Sequence, residues 1–101
     1  MPAPVALPVE LIVVCYDVAD DRRRRRLVRV LEGYGVRVQE SVFECWLDAP
    51  QKREMEGRAR AVLDAGADRL VCRTLTPADR ALIVCLGRGA SVTEDIRTGY
   101  F

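Results

Sequence analysis

Glu10-Leu11-Ile12-Val13-Val14-Cys15-Tyr16 is a near-continuous apolar run rich in β-branching, and Asp17 closes it. Such a run suits a central strand covered on at least one face. Asp20 or Asp21 then offers an N-cap, and both complement a helix N-terminus. Leu27, Val30, Leu31 and Tyr34 follow at i, i+3, i+4 and i+7, one apolar stripe. Gly33 and Gly35 supply the stop, which predicts a helix over residues 21–33.

Residues 36–39 and 42–47 read as strands, with residues 40–41 either joining or parting them. Phe43, Cys45 and Leu47 share one face of the second; Val42, Glu44 and Trp46 share the other. Ala49-Pro50 is expected to end it, since proline donates nothing to a ladder. A second helix fits residues 51–65, with Met55, Ala59, Val62 and Leu63 as its buried stripe and Gly66 as its end. Residues 69–75 read as a strand, 76–79 as a turn or a single helical turn, and 81–86 as a last apolar strand.

The order β-α-β-(β)-α-β-β gives an α/β (α+β) sandwich with both helices on one sheet face. A ferredoxin-like βαββαβ arrangement with an extra C-terminal strand fits it. That last strand is apolar on both faces, which is odd for an exposed edge. Pairing with a second copy of the chain resolves this and predicts a homodimer. Pro2, Pro4 and Pro8 mark residues 1–9 as a flexible arm, leaving residues 10–101 as one domain.

The chain has 101 residues, enough for one core, and no histidine. Imidazole triads, Cys-His pairs and His metal ligands are therefore excluded. Four cysteines with no CxxC spacing argue against a zinc ribbon and read as buried thiols in a reduced, cytoplasmic protein. The N-terminus has no basic segment of a signal peptide, and the apolar run at residues 11–16 is too short for a membrane.

Net charge is +1, yet its distribution is uneven. Residues 1–37 hold seven Arg against five acids, including Arg22, Arg23, Arg24, Arg25, Arg26, Arg29 and Arg37. Five consecutive arginines on a helix point all round it, as a solvated face or as a phosphate-contacting patch. Asp17 stands beside them at a strand exit, a frequent position for a metal ligand and equally for an Asx-turn. One carboxylate is too few for Mg²⁺, which prefers six oxygens. Asp20, Asp21, a substrate phosphate or a second copy of Asp17 would have to complete the set. Ser41 lacks a basic partner and is a poor nucleophile, though its hydroxyl suits a phosphate oxygen. Phe43 suits a core more than a stacking platform.

Tyr16-Asp17-Val18 after an apolar strand, the Arg-rich helix, and the unbroken Gly35-Val36-Arg37-Val38-Gln39-Glu40-Ser41-Val42-Phe43-Glu44 together resemble the CRISPR-associated protein 2 family. Val92-Thr93-Glu94-Asp95 resembles that family's C-terminal region, so the likeness runs from Leu11 onward. It implies a ferredoxin-like homodimer whose C-terminal strands extend the partner's sheet. It implies Asp17 as ligand of a shared Mg²⁺ or Mn²⁺, and Tyr16, Arg24, Arg26, Arg37, Ser41 and Phe43 as further positions associated with activity. Arg22, Arg23, Arg25 and Arg29 are expected to bind nucleic acid. The implied activity is metal-dependent endonucleolytic cleavage of RNA or DNA in spacer acquisition. The alternative is a non-catalytic DNA-binding scaffold that bridges subunits of CRISPR-associated protein 1, the integrase. A small-molecule regulatory domain of the same fold is a third class; it predicts a ligand cleft and no salt-sensitive DNA binding.

Overall fold

The computed structural model describes residues 7–84 and 86. Seven elements follow in order: β1 (Glu10–Asp17), α1 (Asp21–Glu32), β2 (Val36–Gln39), β3 (Val42–Leu47), α2 (Ala49–Val62), β4 (Arg69–Leu75) and α3 (Pro77–Ala81). The strands form one sheet in the order β2-β3-β1-β4, with every neighbouring pair antiparallel. This is the ferredoxin-like arrangement, and β1 is central in it, as its apolar run requires.

The alternation of β1 divides the molecule. Ile12, Val14 and Tyr16 turn toward α1 and α2, where they meet Phe43, Cys45 and Leu47 of β3, Leu27 and Leu31 of α1, and Met55 and Ala59 of α2. Fully burying a side chain of Leu, Ile, Phe or Met size stabilises by about 1.5–3 kcal/mol, so this cluster carries most of the fold. Val13, Cys15 and Asp17 turn to the other face, in rows with Val42 and Glu44 of β3 and Val71 and Arg73 of β4. Trp46 lies on that face too, paired with Leu11 at the far end of the sheet, and the Arg80 guanidinium of α3 stacks on its ring at 4.9 Å. The Trp46 indole nitrogen is buried without a hydrogen-bond acceptor among the described residues.

Caps explain the helix ends. The Asp20 carboxylate accepts from Arg23 N at 2.8 Å and starts α1. Asp48 and Gln51 form a reciprocal capping box at α2, with distances of 2.8 and 3.0 Å. β3 ends at Leu47, before Ala49-Pro50 as expected, and Ala49-Pro50 already begins the helix predicted from residue 51, since the first-turn N–H groups have no intrahelical acceptor and proline loses nothing there. That helix also ends earlier than the predicted residue 65. Leu63 is already extended, and the Asp64 carboxylate turns the chain by accepting from Gly66 N and Ala67 N at 2.8 and 3.2 Å.

The predicted strand over residues 81–86 is corrected. Thr76 and Asp79 form a second capping box, with Pro77 at the helix start, so Ala81 closes α3. The described residues beyond it form no strand, and Leu82, Val84 and Leu86 are 81%, 73% and 86% exposed. The pairing expected for this segment is with a second copy of the chain, and within the chain β1–β4 do not pair with it. Residues 1–6, 85 and 87–101 lie outside the described set, and with them most of the expected arm, Cys85 and the expected C-terminal pairing. The expectation of buried thiols is also corrected. Cys45 is buried and burial pushes its thiol up to about 11, but Cys15 is exposed because it falls on the helix-free face. Cys72 is partly buried. No described helix is long and apolar enough to cross a membrane.

Candidate functional site

The end of β1, the start of α1 and the β2–β3 turn converge on a shallow cleft of about 440 Å³ lined by Tyr16, Asp17, Val18, Arg24, Glu40 and Ser41. Tyr16 and Asp17 are successive residues on a strand, so they serve opposite purposes. Tyr16 is 6% exposed, and its ring packs on Phe43 with centroids 6.2 Å apart. Its hydroxyl donates to the Glu40 carbonyl at 2.9 Å. Arg37 clasps the same carbonyl through Nε at 3.0 Å and Nη2 at 2.5 Å. The β2–β3 turn is thereby fixed from both sides, which settles Ser41 against the strand end. The Ser41 carbonyl also accepts from Tyr16 N at 3.1 Å. Burial raises the Tyr16 pKa, with Arg37 and Arg24 opposing it, so the phenol stays protonated and donates.

Asp17 faces outward and is exposed. Arg24 reaches the cleft from α1, held by a hydrogen bond to the Val18 carbonyl at 3.1 Å and an ion pair with Asp21. A second groove, of about 270 Å³, is lined by Arg24, Arg25, Val28, Arg29, Glu32 and Arg37. Arg24 belongs to both. Arginines therefore extend from β2 along α1 to the carboxylate, with Glu32 and Glu40 set among them, a layout that can receive a polyanion. The irregularity between Arg37 and Gln39 in the β2–β3 ladder marks where the edge strand bends beside this groove.

The predicted residues separate accordingly. Tyr16, Asp17, Arg24 and Ser41 come together, with Arg37 at the junction and Arg25 and Arg29 beyond it. Arg22 and Arg26 are exposed and line neither groove, because steps of about 100° per residue turn them away from Arg24. Phe43 is fully buried at 0% exposure, which excludes contact with a substrate; it supports the Tyr16 ring. Arg23 is also redirected, from nucleic acid to the fold itself. Its Nε and Nη2 meet the Asp68 carboxylate at 2.8 and 3.2 Å.

Asp68 was not foreseen. Its fully buried carboxylate also accepts from Ala19 N at 3.0 Å and Asp64 N at 2.9 Å, tying the β1–α1 loop to the α2–β4 loop. The Arg23 hydrogen bonds and the Asp64 amide hold its pKa well below the usual carboxylate range. Nothing local in Asp64-Ala65-Gly66-Ala67-Asp68 announces a partner 45 residues away. A depressed native pKa stabilises the fold above the ordinary aspartate value of about 3.9 and loses that stabilisation as pH falls through the native value. Asp68→Asn is therefore expected to melt several degrees below wild type at pH 7. The gap should narrow steadily as pH drops below about 4. Melting curves recorded across that range check it, and a gap independent of pH would remove the Arg23–Asp68 pair as its source.

The described residues contain no group of three or more carboxylates, thiols or imidazoles able to hold a metal ion. The cleft brings Asp17 and Glu40 to its lining, and octahedral Mg²⁺ or Mn²⁺ requires further oxygens from elsewhere.

The family model for "CRISPR associated protein Cas2" matches residues 10–81. A protein of Chloroflexus aurantiacus named CRISPR-associated endoribonuclease Cas2 3 is 40% identical over 82 residues, covering 81% of this chain and 88% of that protein. The crystal structure of a hypothetical protein, TT1823, from Thermus thermophilus matches with a TM-score of 0.75 at 40% identity, over 82% of this chain and 96% of that one. A chain in a structure described as a partial Cas6-RT-Cas1–Cas2 complex matches with a TM-score of 0.65 at 29% identity, over 76% of this chain and 90% of that one.

Proposed function

The chain belongs to the CRISPR-associated Cas2 family, and from that premise we propose that it is a homodimeric, metal-dependent endonuclease acting on RNA or DNA in spacer acquisition in the cytoplasm. The observation that carries this reading is the continuity of the Arg25–Arg29–Arg37 groove with the exposed Asp17 through Arg24. In the dimer Asp17 and the partner's Asp17 would hold the cation, with substrate oxygens and water as further ligands. Such a cation would supply Lewis-acid activation of water and of the phosphate. Arg24 offsets charge developing on the scissile phosphate. Arg25, Arg29 and Arg37 hold the backbone leading to it. Tyr16 and Arg37 keep the turn in place so that the Ser41 hydroxyl faces a phosphate oxygen. Exposed Leu82, Val84 and Leu86, and the helix-free sheet face with Val36 and Val71, support association with a second copy.

Two measurements test this together. Sedimentation at micromolar concentration should give about twice the 11.3 kDa chain mass; a stable monomer removes the shared site. Cleavage of labelled RNA and duplex DNA should require Mg²⁺ or Mn²⁺ and stop with chelator; cleavage in chelator overturns the metal reading.

That the described residues hold no group of three metal ligands favours a second reading, a DNA-binding scaffold that bridges Cas1 integrase subunits. The likeness to a chain of a Cas1–Cas2 assembly supports Cas1 as a partner in either case. A dimer that binds duplex and Cas1 but cuts neither substrate with any divalent ion would establish the scaffold.

A further inference from the structure

The basic groove approaches Asp17 from the α1 and β2 side only. The opposite side of Asp17 is β4, and the last pair of the β1–β4 ladder is Asp17 with Arg69. Directly paired residues of antiparallel strands project to the same face, with Cβ atoms about 4.5–5.5 Å apart. The alternation of β4 agrees. Leu70 and Cys72 pack against the core beneath the helices, so Arg69, Val71 and Arg73 take the other face with Asp17. Arg69 is exposed and forms no ion pair within 4.0 Å among the described residues.

Its position is not left to chance. The preceding residue is Asp68, whose buried carboxylate binds Arg23 and the amides of Ala19 and Asp64. Ala19 lies two residues beyond Asp17. The Asp68 tether thus fixes the start of β4 against the segment that leaves Asp17, and the ladder pair follows from it. An exposed arginine is held beside the candidate metal-binding carboxylate without being consumed by a fixed ion pair.

We propose that Arg69 is a phosphate-binding residue that receives the nucleic-acid backbone on the β4 side of Asp17. This rests on the cleft being a nucleic-acid site and deepens that reading. The cationic track then runs along α1 and β2 to Arg24, passes Asp17 and continues to Arg69. A phosphate neighbouring the one at Asp17 is held from the far side. The planar fork of arginine suits two phosphate oxygens at once. Because Arg69 sits at the ladder's end, it lies at the margin of the helix-free face rather than at its centre.

The test is binding of a fluorescein-labelled DNA duplex and a labelled RNA to wild type, Arg69→Gln and Arg69→Lys in chelator, followed by anisotropy across a salt series. Each lost phosphate contact lowers the slope of log affinity against log salt by about 0.9 on duplex DNA and about 0.7 on single strands. At about 0.1 M salt one duplex contact corresponds to about an eightfold change in affinity. Arg69→Gln should show that loss for each protomer engaged, while its melting temperature stays at the wild-type value. Arg69→Lys should restore the slope, since it keeps the charge. Unchanged affinity and slope in Arg69→Gln would overturn the proposal. So would a loss that lysine fails to restore, or one accompanied by a matching loss of thermal stability in both variants. Binding in chelator is independent of cleavage. A failure of the endonuclease reading therefore appears in the cleavage assay alone, and a failure of this proposal in the salt series alone.

Discussion

Asp17→Ala is expected to reduce divalent-ion-dependent cleavage of RNA or duplex DNA by at least about a hundredfold. The carboxylate stands exposed at the cleft with Arg24 and Ser41, and it is the acid assigned to the ion in the proposed mechanism. In the proposed dimer the substitution removes both copies of that ligand at once. Losing about 3 kcal/mol of transition-state stabilisation corresponds to about two decades in rate. The fold should be indifferent. Asp17 is exposed at a strand end, and surface substitutions of this kind usually stay within about 0.5 kcal/mol. Duplex binding in chelator should hold or strengthen, because a negative charge has left a cationic surface. Cleavage rates and melting curves on the same preparations read both effects. Cleavage that survives the substitution would sink the metal-site mechanism.

Gly35→Ala is expected to produce the largest loss of stability. Gly35 lies where the chain leaves α1 for β2, its N–H donating to the Leu31 carbonyl at 3.0 Å. A Cβ there would stand 2.3 Å from the Glu44 carbonyl oxygen, 2.4 Å from Cys45 Sγ and 2.8 Å from Cys45 Cα. Two of those atoms are backbone of β3 and cannot swing aside, so β2 or the end of α1 must move. Overpacking of a tight core typically costs about 1–3 kcal/mol, and fixed backbone neighbours place this case at or above the upper end. For a domain of this size that corresponds to a melting temperature lower by about 10–20 °C. Gly57→Ala is the matched control. It lies in α2, where an added Cβ meets nothing within 4 Å. Alanine there should stabilise by about 0.5–1 kcal/mol through helix propensity. Thermal melts of the two variants should move in opposite directions; a shift of the same sign would discard the steric account of Gly35.

Displacement of Gly35 also reaches the cleft, because Arg37 and the β2–β3 turn follow it within a few residues. Partial activity of Gly35→Ala at low temperature would therefore combine a folding loss with a misplaced turn. The melting curve separates the two.

The elements whose identity rests on local periodicity were legible in the sequence. The β1 run, the Leu27–Leu31 stripe and the alternation around Phe43 each state their own inner face, and the fold follows from those faces. Ala81 itself was misread, because the capping box at Thr76 carries α3 through it. Pairing of the residues after it was expected from a second copy of the chain, which no local pattern states. The arginines show the same division. Their density marked the right helix, but which of them faces Asp17 depends on helix phase and on partners distant in sequence. Arg23 was taken by Asp68 and Arg24 was left for the cleft. Phe43 stood in a motif of functional residues while serving as the support beneath Tyr16.

The chain's single tryptophan is an optical gauge placed by the fold itself. Trp46 lies under Arg80 on the helix-free face, at the opposite end of β1 from Asp17 and about six residues, or about 20 Å, away along the strand. Its emission is thus insensitive to substitutions in the cleft and responsive to whatever covers that face. Dilution of the purified protein, followed at the wavelength of tryptophan emission, therefore reads the proposed self-association through that face without a label and without a substitution in the cleft.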